Sequence, residues 1–192
     1  MKQKIEMRRR KIIFLTLISL LVFLSVVDWL NAKDYFQSDY KVLTTEQEDL
    51  FKWKDEDDTN SFQERYRKYF FDKDYFFPGQ KVTKIKLYKN IPLLGPWTGK
   101  TLNSAQIKSL IHFCNDPTNF DWDETTWQAS DSEYYFKLFN NKNLVIGKIY
   151  FCLEKCGMTN SKPFCPAMKT GGLSEKGKKQ IEKLIPDKTS RN

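Results

Sequence analysis

Sixteen consecutive uncharged residues, Ile12–Val27 (IIFLTLISLLVFLSVV), constrain this chain more than any other feature. Apolar side chains cover every face of a helix drawn through them, so the segment has no polar side to turn toward water. A hydrocarbon core about 30 Å thick takes roughly 20 helical residues. Extension past Asp28 and Trp29 to Leu30 gives nineteen residues. Asp28 then sits at headgroup level, and Trp29 suits the interface. Before the span, Lys2, Lys4, Arg8, Arg9, Arg10 and Lys11 outweigh Glu6. The positive-inside rule keeps that end cytoplasmic and sends the remainder outside.

The expectation is a single-pass signal anchor in the cell membrane: a cytoplasmic basic end over residues 1–11 and a transmembrane helix over 12–30. The competing reading is an exported soluble protein. Leu30-Asn31-Ala32 offers a passable cleavage site for a signal peptide, with the cut near Ala32.

Charge excludes one class of partner. Residues 1–11 carry a net +5 and residues 169–192 a net +4, against +8 for the whole chain, which leaves −1 for residues 12–168. A nucleic-acid footprint needs a basic patch on the folded body, and the high pI belongs to the two ends. No nucleic-acid partner is expected.

Residues 31–80 read as an aromatic-rich, membrane-proximal helical segment. Fourteen of the chain's twenty-nine aromatic residues fall between positions 29 and 77. Thr45 with Glu48 and Ser61 with Glu64 are capping boxes. Behind the second, Phe62, Tyr66, Tyr69 and Phe70 recur at helical spacing. This stripe either packs onto the following domain or meets headgroups or an envelope protein, so these four residues are the interaction candidates.

Residues 81–186 read as an extracytoplasmic α+β domain, followed by a tail over 187–192. VTKIKLYK (82–89) alternates as a half-buried strand. Asn103 and Gln106 form a capping box, and Leu102 and Ile107 a hydrophobic staple. Ile107, Leu110, Ile111 and Cys114 make one stripe of the helix, which Asn115-Asp116-Pro117 stops. Asn119–Trp127 is an acidic, aromatic loop without the spacing of a calcium loop. Residues 133–139, 140–143 and 144–153 read as strand, turn, strand, with asparagines that tolerate left-handed backbone. Ser174 caps a last helix with Ile181, Leu184 and Ile185 on its stripe. The order is strand, helix, strand, strand, helix: a small antiparallel sheet with two packed helices.

The chemistry-bearing residues are few. His112 is the only histidine, and it lies off the apolar stripe with no partner motif, so no catalytic triad can be built. Cys152, Cys156 and Cys165 fall within fourteen residues. In an oxidising compartment they are disulfide candidates, and the sequence does not choose the pairing. The alternative is a metal site, with Cys152, Cys156 and Cys165 as three ligands and Cys114 or His112 as a fourth. Cys114 itself reads as a small core residue. No cofactor is implied, and the balance is against an enzyme.

The capped helix ending in Asn115-Asp116-Pro117, the hairpin into Ile149-Tyr150-Phe151-Cys152, Cys156, and Gly172-Leu173-Ser174 ahead of Gly177 carry a resemblance. Over residues 101–186 the chain resembles a set of small bacterial exported or membrane-anchored proteins of no known activity. The resemblance implies a fold unit and a compartment, and no reaction. Trp127 stands near where those proteins would carry a cysteine, which weakens any metal or redox reading taken from them.

The functional expectation is therefore a membrane protein with an extracytoplasmic binding or interaction module. Its partners would be lipid around the helix and an envelope protein. The alternatives are a metal- or thiol-dependent site at Cys152/Cys156/Cys165 and a structural part of an envelope complex.

Overall fold

The computed structural model describes residues 2–32, 64, 67, 69, 72–121, 132–153, 157–168 and 172–185. The expected helix opened by Thr45, and Phe62, Tyr66 and Phe70 of the second stripe, lie outside the described residues.

Helix α1 runs Lys2–Ala32. Its stretch Glu6–Leu30, 25 residues, is long and apolar enough to cross a membrane. None of its described side chains is fully buried.

The rest is α+β. Strands β1 (Lys84–Lys89), β2 (Lys100–Thr101), β3 (Phe120–Asp121), β4 (Tyr134–Phe139), β5 (Val145–Cys152), β6 (Met158–Lys162) and β7 (Gly172–Leu173) form one sheet in the order β2-β1-β4-β5-β6-β7-β3. Every pairing is antiparallel. Helices α2 (Ser104–Cys114) and α3 (Glu175–Glu182) supply the other layer.

Alternation decides which face meets the helices. Ile85 and Leu87 of β1 stand opposite Leu138 and Phe136 of β4, and Phe136 stands opposite Ile149 of β5. These side chains are buried with Phe151, with Leu110, Phe113 and Cys114 of α2, and with Ile181 of α3 and Leu184 and Ile185 just beyond it. Phe113 is the hub. Its ring meets Phe120 edge-on at 5.3 Å and Phe151 at 6.2 Å.

Local chemistry sets the element ends as expected. Asn103 accepts from the Gln106 backbone N–H while its own N–H donates to the Gln106 side chain, both at 2.9 Å. Between β4 and β5, Asn140 Oδ1 accepts from the N–H groups of Lys142 and Leu144. Asn143 takes a left-handed φ of 59°.

The sheet is larger than the expected three strands. Strand β6 occupies what reads as a cysteine-bearing loop. Its inward residues are Thr159 and Ser161, both buried, so the strand carries no apolar alternation to announce it. Ser161 satisfies its hydroxyl by accepting from the Cys165 N–H at 3.0 Å.

Gly177 has a specific reason to be glycine. Helix α3 lies so close to the chain before β3 that a Cβ at position 177 would stand 2.1 Å from the Asn119 carbonyl oxygen. That oxygen already accepts from the Ser174 N–H at 3.0 Å. Gly177→Ala is expected to destabilise the domain by about 3 kcal/mol through overpacking against backbone. Asn103→Ala is expected to cost about 1 kcal/mol through the lost cap. Denaturant unfolding of the detergent-solubilised chain, followed by tryptophan fluorescence, checks both, and their order is the stricter test.

Candidate functional site

The sheet separates Cys152 from Cys165, two cysteines that the sequence places near each other. Cys152 ends β5 on the same side as Lys148 and Tyr150, by alternation along the strand. Cys165 lies on the opposite side, in a turn that buries it with Ala167 and Met168. There its Sγ donates to the Cys114 carbonyl oxygen at 3.2 Å. Cys114 and Cys165 are both free and buried. The pairings that used Cys165 are thus corrected: Cys165 is free and clamps no loop. Cys152 is disulfide-bonded, and Cys156 lies outside the described residues.

The metal reading is corrected on the same ground. Among the described residues no three His, Cys, Asp or Glu side chains gather to hold a cation. His112 is exposed and on another part of the surface. Burial in apolar surroundings pushes the Cys165 thiol up to about 12. The Cys114 thiol is raised too, by burial first and then by its neighbour Cys165. Such thiols stay protonated and serve as packing atoms.

Two features of the domain stand out. The first is a cleft of about 630 Å³ between residues 76–82 and α2. Asn115 holds its wall in place. The Asn115 side chain accepts from the Phe77 N–H at 2.8 Å and donates to the Phe77 carbonyl at 3.0 Å and to Ile111 at 2.8 Å. Phe77 is buried, and Phe76 beside it is 38% exposed. Val82, Ile107 and Ile111 give the cleft an apolar lining, and Lys81, Lys108 and His112 give it three basic groups. No carboxylate is among its described lining residues. His112 thus joins the lining of this cleft.

The second is the face of the sheet away from the helices. Lys86, Lys137, Lys148 and Lys162 stand directly opposite one another across β1, β4, β5 and β6. Beside them run Tyr88, Tyr135 and Tyr150, also in register. Tyr88 and Tyr135 stack at 5.1 Å. Lys137 Nζ lies 5.5 Å from the Tyr88 ring centre, and Lys148 Nζ lies 5.7 Å from that of Tyr135. Lys148 is 2% exposed and Lys137 7%. Like charges directly opposite each other repel, and the ring faces offset part of that cost. Sequence reasoning missed this row. Its signal was a lysine and a tyrosine two apart in three strands: Lys86-Leu87-Tyr88, Tyr135-Phe136-Lys137 and Lys148-Ile149-Tyr150.

The expected interaction stripe is represented among the described residues by Tyr69, half-buried, with its ring edge-on to Tyr75 at 4.6 Å. No family model, no curated protein and no solved structure matches this chain.

Two titrations follow from half-buried Asp116 and the two buried thiols. Asp116 receives hydrogen bonds from Thr118 and Lys176 that outweigh its burial and hold its carboxyl below the ordinary 3.8. Its stabilisation is present above that value and is lost as pH falls through the lowered folded pKa. Asp116→Asn should therefore make stability fall less steeply in acid. The thiols have the opposite sign. Their contribution is present below the ordinary value of 9.0 and is lost as pH rises toward the folded value, about 12 for Cys165. Unfolding free energy measured against pH checks both limbs. Iodoacetamide near neutral pH should leave Cys114 and Cys165 unmodified until denaturant is added, as read by peptide mass spectrometry.

Proposed function

We propose that this chain is a single-pass membrane protein whose α+β domain, on the outer side of the membrane, is a binding module for an acidic, partly apolar partner. The cleft beside α2 carries the reading. It combines an apolar lining with Lys81, Lys108 and His112, and no carboxylate is among its described lining residues. An apolar group bearing an acid satisfies both parts of such a surface, and the basic rim steers it in.

The amino-terminal charge supports the orientation, because a net +5 before the span favours the cytoplasmic side. A contact supports retention of the anchor over its cleavage. Asp28 accepts a hydrogen bond from the Leu93 N–H at 3.1 Å, so a cut near Ala32 would discard a partner of the folded domain. A nucleic-acid role has no support from the near-neutral body.

The orientation is tested by protease added to intact cells that express the chain. Residues 81–186 should be digested and residues 2–30 protected; the reverse pattern overturns it. The binding role is tested with a photo-crosslinking amino acid at position 76. A discrete adduct is expected in native membranes, with at least a roughly tenfold loss in the Lys81→Glu/Lys108→Glu variant. An adduct indifferent to this charge reversal, or none, overturns the cleft as the binding surface.

A further inference from the structure

The loop between β1 and β2 leaves three large apolar side chains in the open. Ile91 is 41% exposed, Leu94 57% and Trp97 55%. The loop is ordered by its own hydrogen bonds. Gly95 N–H donates to the Ile91 carbonyl and Leu94 N–H to the Pro92 carbonyl, each at 2.7 Å. Thr98 Oγ1 accepts from the Lys89 N–H at 2.8 Å and donates to the Gly95 carbonyl at 2.7 Å. A loop fixed this way holds its apolar groups outward instead of folding them under. In water that arrangement is unfavourable for every one of them.

Its position identifies the occupant. Leu24, Val27 and Asp28 are the half-buried residues of α1, among the side chains described there. Their spacing puts them on one helical face. That face meets the loop: Asp28 Oδ2 accepts from the N–H of Leu93, a residue with a left-handed φ of 63°. A non-glycine residue in that region is strained, and the carboxylate fixes it there. Leu24 lies about 6 Å deeper along the helix than Asp28, at 1.5 Å per residue. The loop is thus held against the last turn of the span, at the depth where the helix leaves the hydrocarbon.

We propose that residues 91–97 form a second membrane contact: Ile91, Leu94 and Trp97 enter the outer leaflet beside α1. The proposal rests on the anchor reading above. Trp97 then takes the interfacial place that indole rings favour, and Leu94 and Ile91 bury their side chains among acyl chains. One helix alone leaves a domain free to swing. Two contacts on one rigid body fix its tilt. They hold the hairpin turn at residues 140–143 away from the membrane, at the other end of strands about 20 Å long.

The test uses the unaltered full-length chain in vesicles of phosphatidylethanolamine and phosphatidylglycerol, with a small share of lipid carrying a diazirine in its acyl chain. After illumination, adducts are mapped by peptide mass spectrometry. The expected result is labelling of α1 and of residues 91–97, the latter at about ten times the level on the 140–143 turn, as membrane insertion of the apolar loop requires. Labelling of α1 with residues 91–97 no higher than that turn overturns the loop contact and leaves the anchor standing; a protein partner over the loop would give this pattern. Absence of label from α1 as well overturns the anchor reading and this proposal with it.

Discussion

The pairing of β4 with β1 on one side and β5 on the other is the constraint on which this domain depends. Side chains alternate strictly along a strand, so one register decides two surfaces at once. Opposition of Ile85 to Leu138 and of Phe136 to Ile149 gathers the apolar residues under α2 and α3. The same register lines up Lys86, Lys137 and Lys148, and beside them Tyr88, Tyr135 and Tyr150. A slip by one residue in any of these strands would break the core and the lysine row together. The helices only read out this choice. Their stripes are apolar because the face they cover is.

The lysine row sets like charges directly opposite one another across four strands. A buried ammonium group loses its hydration, and neighbouring ammonium groups repel. The tyrosine rings at 5.5–6.0 Å from Lys137 and Lys148 supply some compensation. Burial of this face also raises the Tyr88 hydroxyl pKa, which keeps that ring neutral over the ordinary pH range. A sheet that hides charge on one side and apolar groups on the other is covered on both. The surface available for recognition therefore moves to the ends of the sheet. One end holds the loop beside α1, and the cleft held open by Asn115 lies beside α2.

Much of this was legible in the sequence. The capping box at Asn103, the Asn140–Asn143 turn and the Ser174 cap rest on contacts within a few residues, where spacing alone decides geometry. The strand at residues 158–162 was not legible, because Thr159 and Ser161 take its inward positions and erase the apolar alternation. The cysteine cluster misled for a related reason. Cys152 and Cys165 are thirteen positions apart in sequence, but β6 returns the chain and the following turn carries Cys165 to the other side of the sheet, against α2. Of the candidate site, the sequence named His112 and the stripe of α2 but not Phe76, Val82 or Lys81. These residues meet α2 only because Asn115 fastens Phe77 to it.

The sequence by itself determined the apolar span and the charge before it, the helix caps and the hairpin turn, since each depends on composition or on neighbours along the chain. Tertiary structure alone decided which cysteines are free, that lysines align across four strands, and that Asp28 reaches from the span to Leu93. Those outcomes join residues that are distant along the chain. Only strand register and the docking of α1 bring them within a few ångströms of one another.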